Sequence, residues 1–112
     1  MIYKELATNE QWNDAFEGSS NRPIVVFKHS TTCPVSANAH DEFSQYLNDS
    51  PREDVDYYMV KVIESRPTSL QIAEDTAVKH ESPQIIFIDK KAKVWSASHW
   101  AVTKAHMRAV LD

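Results

Sequence analysis

The sequence predicts an α/β fold, a central mixed sheet with helices on both faces. Three observations carry that expectation. The apolar runs Ile24-Val25-Val26-Phe27 and Ile85-Ile86-Phe87-Ile88 lack polar alternation, as strands covered on both faces do. Segments of helical period lie between successive strand-like runs, the pattern of crossovers joining parallel strands. Finally, Asp89-Lys90-Lys91-Ala92 breaks two strand-like runs with a hairpin turn, which adds an antiparallel edge. A length of 112 residues suits one domain, residues 1–112, with enough buried surface for a core without disulfides.

The elements follow in order. Ile2 to Leu6 reads as a short edge strand. Thr8 and Gln11 have the spacing of a capping box, so a helix is expected from there to about Phe16. Gly18 and Asn21 mark a turn. Pro23 opens a strand through His29, read as central and parallel. Pro34 suits a first helical position, where its missing N–H is not needed. Val35, Ala39, Phe43, Tyr46 and Leu47 then keep helical spacing and form the expected core stripe, and Asn48 to Pro51 end the helix. Val55 to Ile63 is a second central strand. Leu70, Ala73 and Ala77 mark a third helix after Pro67. Gln84 to Ile88 is the next strand, and Val94 to Ala97 its hairpin partner. Thr103 caps a last helix with Met107, Val110 and Leu111 on one side.

Composition excludes several functions. The net charge of −4 and pI near 5.7, with scattered basic residues, argue against nucleic acid as the partner. No apolar run approaches the roughly 20 residues that span a bilayer, and the N-terminus shows no signal-peptide pattern, so no membrane partner is expected. One glycine leaves no phosphate-cradling loop. One cysteine and no export signal make the cytoplasm the expected compartment.

That cysteine is the chemical focus. Cys33 lies in Thr31-Thr32-Cys33-Pro34-Val35-Ser36, between a strand and a helix start. The unpaired N–H groups and dipole of a helix N-terminus favour a thiolate. Two expectations follow: the sulfur accepts from the N–H groups of Val35 and Ser36, and the Ser36 hydroxyl points back to the same turn. A serine can hydrogen-bond a thiolate but cannot attack a mixed disulfide. With no second cysteine, any thiol exchange takes its partner from another molecule. A core cysteine would sit within apolar periodicity, and Cys33 sits among threonines and a proline.

Ser82-Pro83-Gln84 forms the second part. Proline costs a strand its backbone donor. The bond before Pro83 reads either as an ordinary trans boundary or as a cis turn, and in the cis case the backbone of Ser82 is free to pair with a substrate chain beside Cys33. Among other residues, His29 reads either as a group that tunes the thiol or as an oriented strand-end histidine. His40, seven residues after Cys33, reads as a surface histidine. The five histidines match no zinc signature, so no metal is expected. Trp95 and Trp100 read as core or rim packing residues.

A central strand, a Cys-Pro-x-Ser helix start and a later Ser-Pro-Gln strand start resemble the thioredoxin-like fold over nearly the whole chain. Within it, residues 29–39 (HSTTCPVSANA) and 78–84 (VKHESPQ) resemble the monothiol bacilliredoxins. The resemblance implies a thiol–disulfide oxidoreductase in which Cys33 takes bacillithiol from mixed disulfides on client proteins. It implies no tightly bound cofactor, bacillithiol as co-substrate, and a small thiol and S-thiolated proteins as partners. It makes Cys33, Pro34 and Ser36 the catalytic group and Thr31, Thr32, Ser82 and Pro83 the substrate-binding group, with a cis bond before Pro83. Lys28, Lys79 or the backbone N–H groups of Thr31 and Thr32 would suit the carboxylates of bacillithiol, though both lysines read equally as solvated charges. The departures are informative. Dithiol thioredoxins have a resolving cysteine where this chain has Ser36, a buried acid where it has Phe27 and a tryptophan where it has Thr32. Glutaredoxins have a lysine in place of Ser30, which argues against glutathione recognition. The competing readings are a monothiol glutaredoxin-like iron–sulfur carrier and a redox-silent adaptor.

Overall fold

A computed structural model describes residues 3–112, so Ile2 of the expected first strand lies outside the described residues. Nine elements follow in chain order: β1 (Tyr3–Glu5), α1 (Asn9–Gly18), β2 (Ile24–His29), α2 (Pro34–Leu47), β3 (Asp56–Lys61), α3 (Arg66–Thr76), β4 (Gln84–Asp89), β5 (Ala92–Ser98) and α4 (Lys104–Leu111). A single 3-10 turn, His99–Ala101, precedes α4. The strands form one sheet in the order β1-β3-β2-β4-β5.

Local chemistry explains most boundaries. The capping box at the start of α1 is complete: Thr8 Oγ1 accepts from the Gln11 N–H at 3.1 Å, and Gln11 Oε1 accepts from the Thr8 N–H at 3.2 Å. The helix runs two residues past Phe16, because Ser19 closes it with N–H bonds to the carbonyls of Ala15 and Phe16. Gly18 is therefore the last helical residue, and the turn follows it. Thr103 Oγ1 accepts from the His106 N–H at 3.1 Å and starts α4.

β2 runs parallel to β3 and antiparallel to β4, so its expected parallel character holds on one side only. The segment 77–83 returns the chain to the end of the sheet where β2 finishes, and Gln84 starts β4 opposite Lys28. Alternation along β2 feeds two cores. Val25 and Phe27 pack with Ala39, Phe43 and Met107 on the α2/α4 face. Ile24 and Val26 pack with Trp12 and Ile72 on the α1/α3 face.

Two helix faces differ from expectation. In α2 the buried residues are Ser36, Ala39, Phe43, Tyr46 and Leu47, with Val35 only half-buried at the edge. In α3 they are Thr68, Ser69, Ile72 and Thr76. Leu70 is exposed, Ala73 is half-buried, and Ala77 lies past the helix end in the left-handed region at φ 56°. The face of α3 turned to the sheet is mostly small and polar. Its Thr76 hydroxyl donates to the Ile72 carbonyl at 2.6 Å, and its Ser69 carbonyl accepts from the buried Lys28 of β2.

Candidate functional site

β2 ends at His29, whose carbonyl is taken by the Val62 N–H at 3.0 Å. The chain then turns through Ser30-Thr31-Thr32, closed by a 3.3 Å bond from the Cys33 N–H to the Ser30 carbonyl. Cys33 takes the N-cap position of α2 with extended backbone, φ −105° and ψ 125°, and Pro34 takes the first turn. The thiol residue is half-buried and unpaired. Pro34, Thr31 and Thr32 are exposed around it. The Thr31 hydroxyl donates to Glu64 Oε2 at 3.3 Å.

The expected capping of the sulfur is not present, since the Cys33 side chain accepts no N–H of the first turn. Nor does the Ser36 hydroxyl serve the sulfur. Ser36 is fully buried. Its Oγ accepts from the Ser30 N–H at 2.8 Å and shares a 2.8 Å hydrogen bond with His29 Nδ1. One turn below the thiol, the serine therefore ties the end of β2 to the start of α2. A hydroxyl has one donor and two acceptor positions, and these two partners occupy most of them.

His29 belongs to an aromatic stack. Its ring lies 5.6 Å from Phe27 and 4.8 Å from His40, centroid to centroid. Burial lowers the His29 pKa below its usual 6.5, and the neighbouring His40 lowers it further, so the ring is neutral at pH 7. The reading of His40 as a surface residue is thus corrected: it is half-buried against His29 and Phe27.

The start of β4 lies at the same end of the sheet. The Ser82–Pro83 bond is cis. The Pro83 carbonyl accepts from the His99 N–H at 2.8 Å, and Glu81 Oε2 lies 3.4 Å from His99 Nε2. Trp100, 65% exposed, stands in the adjacent 3-10 turn, which packs against α2. Among the described residues, the Ser82 backbone has no hydrogen-bond partner, and neither does its buried hydroxyl. The sheet thus gathers Cys33, Pro34, Ser36, Ser82 and Pro83 at one end, with Thr31 and Thr32 on the rim.

Lys28 requires the largest correction. It is 0% exposed. Its Nζ donates to the Ser69 carbonyl at 2.9 Å and lies 3.1 Å from His80 Nδ1. Burial lowers its pKa from 10.5 to about 8. It is neither a solvated charge nor free to meet a ligand carboxylate. The signal for this was legible: two residues beyond Val26 on a strand buried on both faces, Lys28 must share its covered side. Lys79 is exposed. Among the described residues no cluster of three or more His, Cys, Asp or Glu side chains is arranged to hold a metal.

Comparison with known proteins places this geometry. The family model of the monothiol bacilliredoxin BrxC matches residues 4–107. A solved structure described as a proposed oxidoreductase with a thioredoxin fold is 34% identical, with a TM-score of 0.84 over 96% of this chain and 92% of that one. The thioredoxin O2 of Arabidopsis thaliana, in its oxidised state, is 17% identical with a TM-score of 0.78, covering 99% and 96% of the two chains. Fasciola hepatica thioredoxin is 17% identical with a TM-score of 0.76, covering 96% and 95%. The last two similarities concern the fold alone, which is the thioredoxin fold.

Proposed function

The chain belongs to the monothiol bacilliredoxin family, and from that premise we propose that it removes bacillithiol from mixed disulfides on client proteins through Cys33. The observation that carries the reading is a single half-buried thiol at the N-cap of α2, beside a strand start whose Ser82 backbone is unpartnered. In the first step the Cys33 thiolate attacks the bacillithiol sulfur of the mixed disulfide. The client–bacillithiol S–S bond breaks, a Cys33–bacillithiol disulfide forms, and the client leaves as a thiolate that takes a proton from water. A second thiol, bacillithiol or a reductase, then attacks the bacillithiol sulfur and returns Cys33 to the thiolate.

The residues divide the work. The dipole of α2 favours negative sulfur as nucleophile and as leaving group. Pro34 removes one N–H from the first turn without loss. Ser36 offers no nucleophile to Cys33, so the Cys33 mixed disulfide persists until an outside thiol arrives. Ser82 pairs with the client backbone, and Thr31 and Thr32 border the small thiol. The reaction belongs in the cytoplasm, where a lone thiol stays reduced.

A synthetic peptide carrying bacillithiol on one cysteine tests this. Mixed with excess protein, it should release free peptide thiol in a one-to-one ratio with bacillithiol appearing on Cys33, and Cys33→Ser should release none. Capture of the peptide on Cys33, with bacillithiol set free, would overturn the assignment.

A further inference from the structure

Beneath the segment 79–83 lies a buried polar cluster on the α1/α3 face, the opposite side of the sheet from α2. Lys28 and Gln84 face each other across the β2–β4 pair and are 0% and 2% exposed. Each reaches a different residue of the segment. An ammonium has only donors, so His80 Nδ1, 3.1 Å from Lys28 Nζ, is the acceptor and the His80 proton sits on Nε2. Gln84 Nε2 donates to the Lys79 carbonyl at 3.0 Å and to Ser98 Oγ at 3.3 Å. On the outer side, His99 faces Glu81 and binds the Pro83 carbonyl. Lys79, His80, Glu81 and Pro83 are therefore all tied down, and Ser82 between them is not.

A lysine buried in an apolar layer is costly, and a methionine would fill the same volume without a charge to desolvate. The charge is spent on holding the Ser69 carbonyl of α3 and the ring of His80. Resting on the proposed function, we infer that Lys28 is a positioning residue: through His80 it fixes the Ser82 peptide at the height where an extended client backbone pairs with it. Lys28 does not touch the thiol and lies on the other face of β2 from Phe27. It governs the binding of client chains, and the chemistry at sulfur is independent of it.

The test compares two substrates and two variants. Lys28→Met removes the donor from the buried end, and His80→Leu removes the acceptor from the half-exposed end. With a bacillithiolated client peptide, each variant should raise KM about tenfold and keep kcat within about twofold, the cost of one misplaced hydrogen-bonding edge. With oxidised bacillithiol, which has no peptide backbone to align, the rate should change several-fold less. Equal losses on both substrates, or no change in KM, would overturn the inference. If Lys28→Met does not fold, His80→Leu decides alone. Imidazole and amide 15N NMR provides a readout that needs no turnover. The native His80 should show an unprotonated Nδ1, and Lys28→Met should shift that nitrogen and the amides of residues 80–82. Unmoved signals would overturn the tie itself. Should native protein accept no bacillithiol on Cys33, the proposed function falls while this NMR comparison still judges Lys28.

Discussion

Ser36 shows how much one side chain settles at this site. In place of a second thiol there is a hydroxyl that is already engaged by Ser30 and His29. Ser36→Ala should leave the half-buried Ser30 N–H without its partner and lower stability by about 1 kcal/mol in urea unfolding; an unchanged midpoint would contradict the arrangement. His29 and His80 both titrate below 6.5 in the fold, through burial first. The unfolded chain then binds protons that the native one refuses, so stability should fall as pH drops through 6.5 and level off below the folded values. Lys28 works in another window. The native state loses this proton near pH 8 and the unfolded state near 10.5. Between those values the unfolded chain holds more protons, so stability should rise with pH, by up to about 3 kcal/mol. Denaturation of native protein and Lys28→Met at pH 7 and pH 10 isolates that gain, which the variant should lack. The sequence revealed Cys33 and Pro34 through their place between strand and helix. It hid the His29–Ser36 bond, because two residues seven apart meet only when a strand end and a helix start fold onto each other.

At the scale of elements, local rules were readable wherever a few neighbouring residues decide the outcome. The capping box of α1 is one such case, and Thr8→Ala should cost about 1 kcal/mol in thermal or urea unfolding. The α3 face was not readable, because apolar spacing pointed to Leu70 and Ala73 while the sheet beneath presents a lysine that needs a carbonyl. Small polar residues therefore face inward around Ile72. The β4–β5 turn is readable in position but unusual in chemistry. Lys90 and Lys91 have φ of 51° and 61°, a region that side chains with a Cβ enter at a cost. Ser19 holds them there, its carbonyl accepting from the Lys90 N–H at 2.9 Å and its Oγ from the Lys91 N–H at 3.0 Å. Replacing the pair with Asn-Gly should raise stability by about 1 kcal/mol and the melting temperature by roughly 4 °C. A lower melting temperature would show that the Lys91–Glu17 ion pair, 2.7 Å and exposed, outweighs the backbone.

Over the whole molecule, the order of strands and helices was legible from periodicity and punctuation. The direction of β4 was not, because it depends on where the segment 77–83 delivers the chain. That delivery makes the site: it sets the start of β4 beside the end of β2 and brings Ser82 and the 3-10 turn to the same end as Cys33. Under the proposed function, this end of the sheet holds a small thiol on one sulfur. Intact-mass spectrometry after treatment with oxidised bacillithiol measures it directly. A single bacillithiol adduct is expected on native protein, mapped to Cys33 and absent from Cys33→Ser. A native chain that stays unmodified, while an unstructured peptide containing a free cysteine is labelled in the same mixture, would contradict it.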